Sequence, residues 1–213
     1  NDLEVIVVDD GSEDGTEKAA GLADQLIILP RNQGKGSALR NGVEKSNGRA
    51  VAFTDADLAY SPSQIFDLLV QVENGYDWVV GNRHHVGTRT IVKAGFIRGM
   101  GGRLVNFATH LLLLGQYRDT QCGLKAFRSD VAKSLFSSST INGFAFDVEL
   151  FHLAERWRLS LSEIPVEVEH SERTTVRVVQ DGFRLLRDLI HVRRLASQGS
   201  YPVDPQLPKA SKV

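Results

Sequence analysis

The sequence predicts an α/β fold: a mostly parallel sheet flanked by helices, in a single domain. Three observations carry that expectation. Short β-branched runs alternate with helical patterns through the first half of the chain. Polar, glycine-rich punctuation falls where those runs end, the place where open parallel sheets present their ligand sites. The 213 residues suffice for one good-sized core.

Each element is justified in turn. "LEVIVVDD" reads as a buried strand, turned by "GSEDGT" into a helix from Thr16 to Leu22. "QLIILP" is a second strand, stopped by Pro30, which offers no N–H to a ladder. "RNQGKG" is a glycine loop ahead of a helix from Ser37 to Lys45, and "AVAFTD" is a third strand. Pro62 opens the helix in "SPSQIFDLLVQVENG", and Gly75 closes it. "DWVVGNR" is a fourth strand. From Val92 to Leu114, apolar residues recur every three or four positions, the period of an amphipathic helix. "FAFDVELFHLAERW" is a helix, "LSEIPVEVEH" a strand, and Gln180 to Leu195 a closing helix. Residues 1–197 are expected to form the domain and 198–213 a loose tail.

Composition narrows the function. Hydrophobic residues make up 42% and charged residues 24%, ordinary for a globular chain. A formal net charge of −1 points away from nucleic acid. Cys122 is the single cysteine, so no internal disulfide framework exists, which fits a reducing compartment. The apolar stretch at Leu111–Leu114 is far too short to span a bilayer.

Chemistry gathers at three strand ends: Asp9-Asp10, Lys35 within "NQGKG", and Asp55-Ala56-Asp57. If those strands are neighbours, paired carboxylates and a lysine face one crevice. Hard oxygen donors in that arrangement suit Mg²⁺ or Mn²⁺ holding a nucleoside diphosphate. Each signal alone is weak. A lone D-x-D is mostly a solvated turn, and "NQGKG" lacks the spacing of a Walker loop. No G-x-G-x-x-G follows the first strand, which speaks against a dinucleotide-binding oxidoreductase. Cys122, Trp78 and Trp157 read as packing residues, and His84-His85 has no partners at metal-ligand spacing. Asp147 and Glu149, two apart on a helix, cannot share a face.

Taken in order, "EVIVVDDGSEDGT", "RNQGKGSALRNG", "FTDADL", "VGNR", "DTQCGLKAF" and "FAFDVELF" resemble the inverting nucleotide-sugar glycosyltransferases of the GT-A, Rossmann-like fold. Within them the chain is most similar to the polyprenyl-phosphate sugar synthases, and to their dolichyl-phosphate glucosyltransferase branch more than the mannose branch. The resemblance covers roughly residues 3 to 195. It implies transfer of a hexose, glucose ahead of mannose, from UDP-glucose or GDP-mannose to a polyprenyl phosphate, with inversion and with Mg²⁺ or Mn²⁺. It also implies work at the cytoplasmic face of a membrane. Carried over residue by residue, Asp9 and Asp10 contact the nucleoside, Lys35 the nucleotide, and Asp55 and Asp57 form the metal motif with Asp57 the direct ligand. Arg83 and Arg98 match arginines that hold the acceptor phosphate. Asp119 and Gln121 lie near the sugar, Asp147 follows the acceptor region, and Arg173 is a looser match for a diphosphate contact. Family members begin with one more strand, ending in a Pro-x-Tyr-Asn-Glu-like motif, which these residues lack; the resemblance therefore implies an N-terminally truncated domain.

A phosphate acceptor is already anionic near neutral pH and needs cations rather than a strong base. A membrane surface would meet the Val92–Leu114 segment, with Lys93, Arg98 and Arg103, or the basic stripe Arg184, Arg187, His191 and Arg194. Two other functions stay open at this point: a GT-A transferase with a sugar hydroxyl acceptor, for which Asp147 is the candidate base, and a nucleotide-binding remnant without catalysis.

Overall fold

The computed structural model describes residues 3–92, 117, 119–169, 178–203 and 207. Among the described residues eight strands and six helices follow one another: β1 (Ile6–Asp9), α1 (Thr16–Ala19), β2 (Gln25–Ile28), α2 (Lys35–Lys45), β3 (Ala50–Phe53), α3 (Gln64–Glu73), β4 (Trp78–Asn82), β5 (Arg89–Val92), β6 (Lys125–Arg128), α4 (Ser129–Ser138), α5 (Phe146–Arg156), β7 (Leu161–Pro165), β8 (Glu167–Glu169) and α6 (Val178–Ser197). The expected helix from Val92 to Leu114 lies outside the described residues, except that Val92 ends β5.

The central sheet has the order β3-β6-β4-β7. β4 and β7 run parallel, with Trp78 opposite Leu161. β6 is antiparallel to both β3 and β4, a departure from the parallel expectation. Its sequence, Lys-Ala-Phe-Arg, is short and begins and ends on a charge, so it carries no strand signature of its own. β1 and β2 pair in parallel as a separate ribbon, and β5 pairs with β8. The stretch "LSEIPVEVEH" reads as one strand but divides at Val166: β7 joins β4 and β8 joins β5.

Period-two alternation sorts the core into two layers. Trp78 and Val80 of β4, with Phe127 of β6, face α4, α5 and α6. Val79 and Ala126 face α3, where Leu68 and Val72 meet them. Trp78 is fully buried and stacks on Phe127 with ring centroids 5.0 Å apart. α4 was not among the expected helices; its Val131, Ala132, Leu135 and Phe136 sit at helical spacing and are all buried.

The tail expected to be loose from residue 198 is docked at its start. Tyr201 is buried in the larger core cluster, and the Trp157 indole N–H donates to the Pro202 carbonyl at 3.0 Å. Among the described residues no helix is long and apolar enough to cross a membrane.

Candidate active site

The antiparallel course of β6 decides what meets at one edge of the sheet. The carboxyl ends of β3 and β4 point the same way as the amino end of β6. Asp55 and Asp57 follow β3, Arg83 follows β4, and Asp119, Gln121 and Gly123 precede β6. They therefore gather along one rim, although long stretches of chain separate them.

Asp57 stands at the tip of a turn. Its Oδ1 accepts the Ala59 N–H at 3.1 Å, and the carboxylate is otherwise exposed. Leu58 beside it has φ of 52°, a left-handed conformation that costs a side chain about 1–2 kcal/mol. Asp55 is half-buried. Its carboxylate lies against Gly123 so closely that any Cβ there would collide with it. Lys35 Nζ meets Asp55 Oδ1 at 2.5 Å.

The glycine loop does not act as an open phosphate cradle. Asp10 fills it: Oδ1 accepts the Gln33 N–H at 2.7 Å and Oδ2 the Gly34 N–H at 2.8 Å. The Asn142 carbonyl then accepts the Gly36 N–H at 2.8 Å. Gly34, with φ of 100°, allows that approach, since a Cβ would strike the Asn142 carbonyl. Asp9 is buried and accepts the Ser12 N–H at 2.9 Å. The acidic pair thus folds two turns and sets the position from which Lys35 reaches Asp55.

Arg83 and Asp119 form a fork. Asp119 Oδ2 accepts from the Arg83 backbone N–H at 2.9 Å and from Nε at 2.8 Å, while Oδ1 accepts from Nη2 at 2.6 Å. Burial alone would raise the Asp119 carboxyl; the Arg83 guanidinium overrides it and holds the group below the usual carboxylate range. The Arg83 guanidinium is correspondingly raised by Asp119 against the opposing effect of burial. Its Nη1 has no hydrogen-bond partner among the described residues. Gln121 is half-buried, and its backbone N–H donates to Asp119 Oδ1 at 3.3 Å.

Beneath the rim, Lys125 is fully buried on β6. Its Nζ donates to Asp147 Oδ1 at 2.7 Å and to the Cys122 carbonyl at 2.6 Å. Burial raises the Asp147 carboxyl, and the Lys125 and Lys35 charges oppose that only in part. Glu149 turns away from it, as helical geometry requires, to Thr140, Ile141 and Tyr201. Cys122 is buried, and burial pushes its thiol up, as a packing residue rather than a nucleophile. Lys125 lies within the "DTQCGLKAF" block, but nothing in the sequence singled it out from its neighbours there. Arg98, Arg173, Lys93 and Arg103 lie outside the described residues.

The donor set suits a hard divalent cation. It offers carboxylate oxygens from Asp57 and Asp55, and no group of three His, Cys, Asp or Glu residues among those described forms an all-protein cage. Mg²⁺ and Mn²⁺ take one or two carboxylates and complete their shell with phosphate and water.

A model of glycosyl transferase family 2 matches residues 1–136. The chain belongs to glycosyl transferase family 2. Among its relatives in that family, the dolichyl-phosphate beta-glucosyltransferase of Homo sapiens is 30% identical over 215 residues, covering 94% of this chain and 66% of the relative. That of Drosophila melanogaster is 33% identical, covering 91% of this chain and 66% of the relative. The chain therefore spans just under two thirds of the length of these curated relatives. Among solved structures, a mycobacterial protein superposes with a TM-score of 0.67 at 22% identity, over 90% of this chain and 64% of the other. Glucosyl-3-phosphoglycerate synthase from Mycobacterium tuberculosis, crystallised with Mn²⁺ and UDP-glucose, gives 0.62 at 21%, over 92% of this chain and 68% of the other. These structural likenesses show the GT-A-like fold.

Proposed function

We propose that this chain transfers glucose from a nucleoside-diphosphate donor, UDP-glucose ahead of GDP-mannose, to a dolichyl or related polyprenyl phosphate, with inversion at the sugar. The names of its relatives support the glucose and the lipid phosphate. The observation that carries the choice of acceptor is the Lys125–Asp147 pair. A hydroxyl acceptor needs a base within reach. Asp147, the candidate, is 4% exposed and bound to a fully buried ammonium, so it is poorly placed to take a proton from an incoming sugar. A phosphate acceptor needs no such base. It needs a placed cation, and Arg83, gripped along one edge by Asp119, offers Nη1 to it. Asp57 and Asp55 would hold the metal, and a bound Mg²⁺ or Mn²⁺ offsets charge on the departing diphosphate. The lipid acceptor places the chain at a membrane surface. Its nucleotide-sugar donor and lone free thiol support the cytoplasmic face.

The test is Mn²⁺-dependent transfer of radiolabelled glucose from UDP-glucose onto a short polyprenyl phosphate, with GDP-mannose in parallel. Asp57→Ala is expected to lower transfer at least a hundredfold. Turnover that survives in Asp57→Ala, or a preference for a sugar hydroxyl over the lipid phosphate, would sink the reading. Arg83→Lys keeps the charge but loses the fork with Asp119. It is expected to raise KM for the polyprenyl phosphate about tenfold while leaving KM for UDP-glucose near wild type, the loss of one charge-assisted contact of about 1.5 kcal/mol. Equal effects on both substrates would contradict an acceptor role.

A further inference from the structure

Lys35 stands where a cation belongs. Its Nζ contacts Asp55 Oδ1 at 2.5 Å, with the two side chains 24% and 35% exposed. Its backbone is fixed at the start of α2 by Asp10 on one side and the Asn142 carbonyl on the other, so only the flexible stem can move. A second carboxylate lies behind it. The first turns of α2 and α5 are in contact: a Cβ on Gly36 would come within 2.8 Å of Phe146 Cβ, and Lys35 Nζ lies 6.0 Å from the Phe146 ring centroid. Asp147 follows Phe146. Its Oδ1 is taken by Lys125, and its Oδ2 has no partner among the described residues. The Lys35 charge already acts on Asp147, favouring its ionised form.

We propose that Lys35 holds the cation's place on Asp55 and transfers its ammonium to Oδ2 of Asp147 when a divalent ion binds. The inference rests on the metal reading of Asp57 and Asp55 given above. A lysine and a divalent ion on one carboxylate repel each other, so the ion must displace the ammonium. Asp147 receives it without leaving the lysine unpaired. The buried pair Lys125–Asp147 thereby acts on the metal site through Lys35, as a positioning device. Without metal, Lys35 neutralises Asp55 and keeps Asp55 and Asp57 from repelling each other, which accounts for two carboxylates at adjoining turn positions in the free protein.

The experiment is a Mn²⁺ titration of the whole chain without nucleotide, read by the electron paramagnetic resonance signal of free Mn²⁺, with circular dichroism to verify folding. Asp57→Ala is expected to abolish binding. Lys35→Met and Lys35→Gln are each expected to bind Mn²⁺ about fivefold tighter than wild type, because the competing ammonium is gone. Asp147→Asn is expected to weaken Mn²⁺ binding in the wild-type background and to have no effect in the Lys35→Met background. Binding in wild type that is lost in Asp57→Ala but unchanged or weaker in both Lys35 variants would overturn the proposal and leave the metal reading standing. No Mn²⁺ binding in wild type, or binding indifferent to Asp57→Ala, would overturn both.

Discussion

Lys125→Met is expected to destabilise the protein by about 3–5 kcal/mol in urea unfolding, because it strands the Asp147 carboxylate in the core. Lys125 is fully buried and Asp147 is 4% exposed, so solvent screens the pair very little. The double variant Lys125→Met/Asp147→Leu is expected to recover most of that loss, since removing both ends of a buried pair leaves no orphaned charge. The effect also has a pH signature. Burial raises the Asp147 carboxyl above its ordinary value even with Lys125 in place, and removing Lys125 raises it further. Between the ordinary and the raised value the native state binds more protons than the unfolded chain, so stability falls as pH rises through that window. The deficit of Lys125→Met is therefore expected to be smaller at pH 5 than at pH 8. A deficit independent of pH would show that Asp147 is not the group left stranded.

Glu149→Ala is expected to cost about 4 kcal/mol, through four donors left without an acceptor in the core. Glu149 is 0% exposed and accepts from the Thr140 N–H and hydroxyl, the Ile141 N–H and the Tyr201 hydroxyl. Those residues carry the loop whose Asn142 carbonyl caps the Gly36 amide. Arg40 braces the same loop through the Phe136, Ser139 and Ile141 carbonyls and Asn142 Oδ1. The substitution thus loosens both the start of α2 and the docked residues around Tyr201. Tyr201→Phe removes one of these donors and is expected to cost about 1 kcal/mol, leaving the remaining acceptor contacts intact. Limited proteolysis after residue 197 should accelerate in both variants and most in Glu149→Ala. Equal and small losses for the two would mean that Glu149 is not the anchor of this loop.

Much of the site was legible because it sits at strand ends, where hydrophobic period and polar punctuation both report position. β1, β3 and β4 announce themselves by apolar runs, and Asp9, Asp55 and Arg83 fall at or just after their ends. α5 shows its helical period, and that period alone separates Asp147 from Glu149. β6 was not legible, since four residues with charges at both ends fit no template. Its direction matters most, for it alone carries Asp119, Gln121 and Gly123 to the rim. The glycine loop misleads in the opposite sense. Its composition suits a phosphate, but Asp10 and the Asn142 carbonyl take the Gln33, Gly34 and Gly36 amides.

The sequence by itself determined the alternation of strands and helices, the family, and which residue types reach the edge of the sheet, because these depend on local period and on order along the chain. Only the tertiary structure decided which charge meets which: Lys35 with Asp55, Arg83 with Asp119, Lys125 with Asp147. Such partners lie 20 to 36 residues apart and carry no periodic mark. Their pairing is set by strand order and by the requirement that a charge taken out of water find its counterion.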